Sequence, residues 1–497
     1  MESNKIGVVS FTETREGLQG AEIFEAELKQ SHLDLVNRLN GAGFEPINPH
    51  ERLKVEGDKT YGIRTSAEVR ECVRRLKGAD VSGVVINLPK WTDPHLPIHL
   101  ATQLDVPTAL YTDTDPRSSG TTLLTATAAG LDKVAIGTRY AQNAARLCDK
   151  EGLENMLHWA RGVSALKKMR ESAILLWGGS YCLKMDVLQD DPIRLKSFMI
   201  GDILQEDQLF ITKYAEKILA NQQERIESFY EWLQDNGTNI TFKGQEGARP
   251  FNEKVFRTQI AFYLAARDRL KELKGENIIG VSIKCQPELS ELYGVTACTL
   301  PAFLPFSEDG EGKQDIMPTV CEGDIGGLLT ASLLHTLSPE TPPLFGDLKT
   351  VNDKYFVISN CGASSVYYAA NSLIPAEALS NTIIQPQCQG ESGGAISYQG
   401  KALGSVTVAR LVRKGNDYMM HLGIGKTLNV DEDIMKTFLW AKQWPHVAVD
   451  LGISKDKFMQ LAGGNHYCLV PGDHSKAMTY FCKEANLPIV RVDREAK

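Results

Sequence analysis

The sequence lacks long apolar runs, paired cysteines and a recognisable leader. No stretch reaches the ~18 uninterrupted apolar residues that a membrane-spanning helix requires. The first residues, MESNKIGVVSF, show neither the basic region nor the apolar core of a secretory signal peptide, so we expect none there. The ten cysteines are scattered and form no CxxC pair. We therefore expect reduced thiols and a cytoplasmic protein.

Motifs for nucleotide binding and serine hydrolysis are also missing. No GxGxxG follows the first predicted strand and no GxxxxGK[ST] occurs, which disfavours a nicotinamide dehydrogenase. GESGG at 390–394 resembles a serine-protease loop only superficially, and a glycine-rich turn explains it. The net charge of -8 disfavours nucleic acid and anionic membranes as partners.

What is present is the pattern of a mixed α/β protein. A chain of 497 residues is too long for one hydrophobic core, so about two to three domains are expected. Continuous apolar runs alternate with amphipathic helical patterns through most of the chain, and strand signals dominate from Leu344. We predict two doubly wound parallel-sheet domains (residues 1–170 and 171–343) followed by a β-rich C-terminal domain (residues 344–497).

Local patterns predict the individual elements. Ser66 is predicted to cap a helix, and Gly415-Asn416 between two strand-like runs predicts a β-hairpin. Strands of the parallel sheets are predicted at 5–11, 80–88, 107–113, 133–137, 173–179 and 277–285, and helices at 19–39, 65–76, 153–170, 210–236 and 252–274.

Two carboxylates that follow short apolar segments are candidates for chemistry. Glu322 stands between a strand-like segment and an apolar helix, and Asp347 follows the run Pro343-Leu344-Phe345. Carboxylates at the ends of strands in an open α/β sheet face the crevice in which ligands bind. The alternative interpretation is that Glu322 or Asp324 complements the dipole of the next helix, and that Asp347 is a turn residue.

His466 is the third candidate. It follows Gly463-Gly464-Asn465 and precedes the apolar run YCLV. A histidine beside a glycine turn can project into a cleft and bind a metal. For an isolated residue, the alternative is a structural histidine held by hydrogen bonds.

Taken together, these segments resemble the L-fucose isomerase and L-arabinose isomerase superfamily. Glu322-Gly323-Asp324 is similar to the context of the first metal-binding glutamate in L-arabinose isomerases. Asp347 in FGDLKT resembles the second ligand of fucose isomerases, which is an aspartate. ISNCG at 358–362 resembles the small-residue loop that follows, and GGNH at 463–466 resembles the Gly-X-Asn-His signature. The resemblance is strongest from about residue 280 to the end.

This resemblance implies an enzyme that interconverts an aldose and its ketose by proton transfer between C2 and C1 through a cis-enediol. It implies that Glu322, Asp347 and His466 bind a divalent cation, and that Glu322 and Asp347 also act as acid and base. A cation that bridges both sugar oxygens stabilises the developing ene-diolate. Two carboxylates and one imidazole suit Mn²⁺.

The resemblance also implies further substrate-binding residues and an oligomer. Arg15 and Trp91 are expected to come from a neighbouring subunit, because the family forms trimers and hexamers with shared active sites. The alternatives are a solvated loop residue for Arg15 and interface packing for Trp91. The complete set of predicted substrate-binding residues is Arg15, Trp91, Lys184, Met185, Gln286 and Asn465.

Departures from the family leave the substrate open. The L-arabinose type has another metal histidine soon after the second carboxylate, but none occurs between His335 and His421. This favours the three-ligand fucose type, with L-fucose, D-arabinose or a related hexose as substrate. An alternative is the 6-sulfonated hexose sulfoquinovose, converted to sulfofructose, for which Arg15, Lys90 or Lys184 would supply a cation. An alternative of another class is a non-catalytic sugar-binding protein.

Overall fold

The computed structural model describes residues 4–13, 21–50, 53, 60–244, 246–430, 432–435 and 444–495. The chain divides into two compact units. Unit 1 comprises Met1–Lys168 and Lys476–Asn486, and unit 2 comprises Met169–Ser475 and Leu487–Lys497. The division into three domains, with boundaries at residues 170 and 343, stays a prediction.

Unit 1 is built on a parallel sheet whose short apolar strands are buried on both faces, as continuous apolar runs predict. Its strands are β1 (Lys5–Ser10), β2 (Glu45–Ile47), β3 (Gly83–Asn87), β4 (Thr108–Thr112) and β5 (Ala145–Cys148), and its helices are α1 (Ala21–Gly41), α2 (Ser66–Ala79), α3 (His95–Leu104), α4 (Gly120–Val134) and α5 (Asp149–Arg170). The strand order is β2-β1-β3-β4-β5.

Two local predictions in unit 1 are wrong. Residues 133–137 form the end of α4 and a turn, and the fifth strand is β5 instead. A short apolar run fits a helix end as well as a buried strand, whereas an edge strand such as β5 is only half buried. The cap of α2 is Thr65, not Ser66, because the Thr65 side chain and Glu68 form a reciprocal capping box.

Unit 2 contains a second parallel sheet and a larger, mainly antiparallel one. Its strands are β6 (Ala173–Trp177), β7 (Asp202–Glu206), β8 (Asn239–Ile240), β9 (Ile278–Ile283), β10 (Glu308–Asp309), β11 (Gly312–Lys313), β12 (Thr319–Cys321), β13 (Leu344–Val351), β14 (Phe356–Ser359), β15 (Ile383–Pro386), β16 (Gly394–Ser397), β17 (Ser405–Lys414), β18 (Asp417–Leu428), β19 (His446–Asp450), β20 (His466–Pro471) and β21 (Ile489–Arg491). The helices are α6 (Pro192–Phe198), α7 (Gln208–Asn221), α8 (Gln223–Asp235), α9 (Glu253–Glu272), α10 (Thr299–Phe303), α11 (Ile325–Leu337), α12 (Pro375–Leu379), α13 (Glu432–Met435), α14 (Lys455–Leu461) and α15 (Ser475–Glu484), of which residues 476–484 belong to unit 1.

The two main sheets of unit 2 have different connectivity. The parallel sheet has the order β12-β9-β6-β7, and the β-rich sheet has the order β17-β20-β13-β14-β19-β18-β21. Because β17 also pairs with β18 through the hairpin at Gly415-Asn416, the β-rich sheet closes on itself. The predicted hairpin and the predicted α/β class, with parallel sheets and one β-rich sheet, are confirmed.

Helix α11 connects the two sheets of unit 2. Its sequence IGGLLTASLLHTL is apolar almost all round, as expected of a buried helix. It contacts β9 and β12 of the parallel sheet and β17 and β20 of the β-rich sheet. The start of α11 therefore lies where strands of both sheets meet.

All ten cysteines are free thiols. Among the described residues, no helix is both long enough and apolar enough to span a bilayer.

Candidate metal centre

A sharp turn after β12 presents the side chain of Glu322. Both Glu322 and Gly323 have a φ of 66°, between the end of β12 and the start of α11. A glutamate with positive φ is uncommon and strained, and such residues cluster at functional sites. A Cβ atom at Gly323 would lie 2.3 Å from the carbonyl oxygen of Gly179. The turn therefore requires glycine at 323 and holds Glu322 buried at the carboxyl end of β12.

Asp347 and His466 are placed by two neighbouring strands. β13 and β20 pair antiparallel, with Asp347 directly opposite His466. Directly opposed residues of antiparallel strands project from the same face of the sheet. The side chain of His466 is 1% exposed, whereas that of Asp347 is 32% exposed. Strand pairing therefore sets the spacing of these two side chains and leaves Asp347 accessible.

The side chains of Glu322, Asp347 and His466, hereafter the three-ligand centre, converge on one point. The Nε2 atom of His466 lies 3.3 Å from Oε2 of Glu322 and 3.2 Å from Oδ1 of Asp347. One ligand atom from each residue lies within 4.8 Å of the other two. Ligands ~2.1 Å from an octahedral cation are roughly 3 Å apart on neighbouring positions. The donor set and its spacing fit one divalent cation.

Asp324 fixes the orientation of His466. Its Oδ2 atom accepts a hydrogen bond of 2.7 Å from Nδ1 of His466 and another from the guanidinium of Arg410. Its Oδ1 atom accepts a hydrogen bond of 2.7 Å from the backbone N–H of Gly327 and so caps α11. Because Nδ1 donates to Asp324, the lone pair of Nε2 points at the other two ligands, as in carboxylate–histidine–metal arrangements.

The ionisation of the site depends on burial and on opposite charges. Burial raises the pKa of Asp324, but Arg410 and His466 outweigh this effect and hold that pKa well below its ordinary value. Burial lowers the pKa of His466, but its hydrogen bond to Asp324 and the nearby carboxylates of Asp347 and Glu322 raise that pKa well above 6.5. The Oε2 atom of Glu322 is buried and has no hydrogen-bond partner. A bound cation would replace the second proton of His466 and give Glu322 its missing partner.

Polar, uncharged groups lie beside the three-ligand centre. Asn465 donates a hydrogen bond of 2.9 Å from Nδ2 to Oδ1 of Asp347, and its own Oδ1 is buried without a hydrogen-bond partner. Amide donors and acceptors of this kind suit the hydroxyl groups of a sugar. A small cavity next to Glu322 is lined by further amides and by thiols, among them Gln286, Cys321, Asn360, Cys361 and Gln387.

The predicted substrate-binding residues are only partly gathered here. Asn465 touches a ligand of the centre, and Gln286 lines the cavity. Lys184 is exposed and Met185 is half-buried, both close after β6 in the chain. Trp91 is half-buried in unit 1, where it packs against the core, and Arg15 lies outside the described residues. The roles of all six stay predictions.

The sequence pattern did not reveal Arg410 or the full role of Asp324. Asp324 does carry the helix-terminal charge that one interpretation predicts, but it also holds His466. Arg410 is 2% exposed in the middle of the apolar strand SVTVARLVRK. A buried arginine needs a carboxylate, so its position signals a partner. The tertiary structure determines which carboxylate pairs with Arg410.

The known proteins to which this chain is similar are sugar isomerases. Residues 358–492 match the family model described as L-fucose isomerase, C-terminal domain, which confirms the family resemblance. The matched segment contains His466 and begins after Glu322 and Asp347.

The curated relatives have names that specify a substrate. The chain is 25% identical over 241 residues to a sulfoquinovose isomerase of Alkalicoccus urumqiensis, which covers 47% of this chain and 48% of that protein. It is 25% identical over 219 residues to the sulfoquinovose isomerases of Priestia aryabhattai and Priestia megaterium, which covers 44% of this chain and 45% of each relative. The match thus spans about half the length of these relatives.

Proposed function

We propose that the protein is a divalent-metal-dependent aldose–ketose isomerase, starting from the match of residues 358–492 to the family model described as L-fucose isomerase, C-terminal domain. The observation that carries the proposal is the three-ligand centre, in which an oriented imidazole and two carboxylates present one ligand atom each within 4.8 Å. The centre does not serve stability alone, because it leaves the buried Oε2 atom of Glu322 without a hydrogen-bond partner.

The three-ligand centre would hold the cation. We propose Mn²⁺, because two carboxylate oxygens and one imidazole suit it. When bound, the cation supplies Lewis-acid polarisation of the sugar oxygens at C1 and C2. Asp324 and Arg410 do not reach the cation and act by holding His466 in one orientation.

The two carboxylates supply the proton transfer. Isomerisation takes a proton from C2 of the open-chain aldose and returns a proton to C1, so it needs a group that first accepts and then donates. Glu322 and Asp347 both lie beside Nε2 of His466, within reach of a sugar bound at that point. Asn465 holds the Asp347 carboxylate by a hydrogen bond and keeps its own Oδ1 for a sugar hydroxyl.

We propose sulfoquinovose, a 6-sulfonated hexose, as the substrate and sulfofructose as the product. This choice is supported by the relatives that bear the name sulfoquinovose isomerase, each 25% identical over less than half of this chain. A neutral aldose such as L-fucose or D-arabinose is the second candidate, supported by the family model that matches residues 358–492.

We also propose a homo-oligomer, a trimer or a hexamer, in which Arg15 and Trp91 reach the site of a neighbouring subunit. The family resemblance supports this arrangement. Light scattering of the purified protein measures its mass in solution, and a fully active monomer would contradict the shared site.

A sugar panel tests the enzymatic proposal. Purified protein with added Mn²⁺ is incubated with sulfoquinovose, L-fucose and D-arabinose, and the ketose is quantified. We expect turnover that is lost on chelation and restored by Mn²⁺. Glu322→Gln should lower kcat by about 100-fold or more and lower the bound metal. Glu340→Gln removes an exposed carboxylate and should change neither.

Two outcomes would overturn the proposal. One is turnover that survives chelation or the loss of the Glu322 carboxylate. The other is metal-independent sugar binding with no turnover of any sugar, which would identify a sugar-binding protein on the same fold.

A further inference from the structure

A lysine follows the metal ligand Asp347 in the same strand. Lys349 lies in β13 at a register shift between Leu348 and Thr350. Two residues along a strand span at most about 7 Å, and irregularities of this kind re-aim side chains beside active sites. Lys349 is half-buried, and its Nζ atom lies 4.0 Å from the ring centroid of Trp444.

Trp444 joins Lys349 to the wall of the cavity beside Glu322. Its Nε1 donates a hydrogen bond of 3.0 Å to Sγ of Cys388. The backbone N–H of Cys388 donates one of 2.7 Å to Oε1 of Gln387, which lines that cavity. Lys349, Trp444, Cys388 and Gln387 therefore form one continuous wall that begins in the strand of Asp347 and ends at the cavity.

A second cation, the exposed residue Arg249, belongs to a segment that is hydrogen-bonded to the wall. The backbone N–H of Arg249 donates a hydrogen bond of 2.7 Å to the carbonyl oxygen of Gln387. Burial raises the pKa of the Cys388 thiol, while the hydrogen bond from Trp444 and, more weakly, the positive charges of Lys349 and Arg249 counteract that rise. Within the part of the chain that the structure describes, neither cation is ion-paired with a carboxylate.

Lysine and arginine side chains without a carboxylate partner favour an anionic ligand. Two other half-buried lysines, Lys90 and Lys284, have carboxylate partners at 2.8 Å, Glu27 and Glu288 respectively. The face of a tryptophan attracts an ammonium group and covers one side of it, so the remaining N–H donors can contact an oxyanion. A sulfonate keeps its negative charge throughout the pH range in which proteins fold and offers three oxygens as acceptors.

We propose that Lys349, assisted by Arg249, binds the sulfonate of a 6-sulfonated hexose whose C1–C2 end lies at the three-ligand centre. This inference rests on the proposed function and deepens it by naming the residues that select the substrate. The sequence-based candidate Lys90 is less suitable, because it is ion-paired with Glu27 in unit 1.

Substrate selectivity tests the inference. The ratio of kcat/KM for sulfoquinovose to kcat/KM for D-glucose, its uncharged 6-hydroxy counterpart, is measured for Lys349→Gln, Lys349→Arg and Arg249→Gln. Loss of a charge-assisted hydrogen bond should lower this ratio about 10- to 100-fold for Lys349→Gln, mainly through KM. Lys349→Arg keeps the charge and should retain most of the ratio. Lys354→Gln removes an exposed lysine of the same β-hairpin and should leave it unchanged.

Binding without turnover separates this inference from the proposed function. The Mn²⁺-loaded protein is titrated calorimetrically with the reduced hexitol of sulfoquinovose, which cannot isomerise, and the unfolding temperature of each variant is recorded. Weaker binding to Lys349→Gln supports the inference even if the protein isomerises no sugar. If the wild type isomerises neutral aldoses but rejects sulfoquinovose, or if Lys349→Gln leaves the ratio and the hexitol affinity unchanged, the inference is wrong and the isomerase proposal stands.

Discussion

Asp324 connects three parts of the site through one carboxylate, which accepts from Gly327, His466 and Arg410. Asp324→Asn preserves its size but removes its charge. Because Arg410 then stays buried without a negative partner, we expect the free energy of unfolding to fall by about 3–5 kcal/mol. Because the ring of His466 loses its negatively charged acceptor, we expect metal affinity to fall about 10- to 100-fold. Denaturant unfolding and calorimetric metal titration measure the two effects.

The matched control is a carboxylate paired with arginine at the surface. Asp417, whose side chain is 83% exposed, lies 3.3 Å from Arg194. Exposed pairs of this kind contribute about 0–1 kcal/mol, so Asp417→Asn should change stability little and metal affinity not at all. Equal effects of the two substitutions would show that Asp324 has no special role.

The protonation of His466 makes metal binding depend on pH. In the metal-free protein its folded pKa lies well above the value of 6.5 of a free histidine, despite the opposing effect of burial, because carboxylates surround the ring. Below pH 6.5, the pKa of a free histidine, protonation of His466 therefore contributes its full stabilisation to the metal-free fold. This stabilisation is lost as the pH rises through the raised pKa of the folded state. A metal must displace the proton, so metal affinity rises with pH.

Calorimetry in buffers of different ionisation enthalpy measures this linkage. We expect about one proton to be released for each metal bound near neutral pH, and a tighter dissociation constant at about pH 8 than at about pH 6. Metal binding that releases no proton and does not change over this range would contradict the assignment of His466 as a ligand.

At the scale of the element, the turn between β12 and α11 controls the position of Glu322. Gly323→Ala would force a Cβ atom to 2.3 Å from the carbonyl oxygen of Gly179, at a φ of 66°. Gly415 in the β17–β18 hairpin has a similar φ of 63° but nothing within 4 Å of an added Cβ. Gly415→Ala should therefore cost only about 1 kcal/mol for the backbone conformation.

The comparison of the two substitutions isolates the clash. We expect Gly323→Ala to destabilise the fold more than Gly415→Ala and, because the turn must shift, to weaken metal binding as well. Thermal unfolding and metal titration of both variants provide the test. If the two alanines have equal effects, the close approach to Gly179 does not hold the turn in place.

Most elements were predictable because their signals are local. Central strands such as β3 and β9 are continuous apolar runs, and the hairpin at Gly415-Asn416 follows from its turn residues. β5 was missed because an edge strand buries only alternate residues, and its alternation of buried and exposed positions is brief. The capping residue of α2 was misplaced by one position because Thr65 and Ser66 are both good caps.

The site was less predictable, because its contacts are not local. The sequence suggested Glu322, Asp347 and His466 one by one, and only the family resemblance combined them. The hydrogen bond from His466 to Asp324 joins positions 142 residues apart, and that from Arg410 joins positions 86 residues apart. No periodicity or turn signal encodes such pairings, since packing of α11 against β17 and β20 creates them.

At the scale of the whole molecule, a shared site has a direct test. If Arg15 of one subunit acts in the site of another, subunits that carry Arg15→Ala and subunits that carry Glu322→Gln are each inactive alone. When the two are dissociated, mixed and reassembled, some sites receive an intact residue from both partners. We therefore expect partial recovery of turnover in the mixture, measured against unmixed samples treated in the same way. No recovery despite mixed assembly would place Arg15 outside the shared site.

Strand β13 has a further consequence for the choice of sugar. In the proposed arrangement it carries both Asp347, at the reacting end of the substrate, and Lys349, at the charged end. A strand advances by a nearly fixed increment for each residue, and β13 pairs with β20 at Asp347 and with β14 at Leu348 and Thr350, the two neighbours of Lys349. The backbone of β13 thus sets the distance between the group that acts on the reacting end of the sugar and the group that binds its charged end. If the proposed arrangement is right, we expect sulfonated sugars of five or seven carbons to be poorer substrates than the six-carbon sugar, so that chain length is selected together with charge.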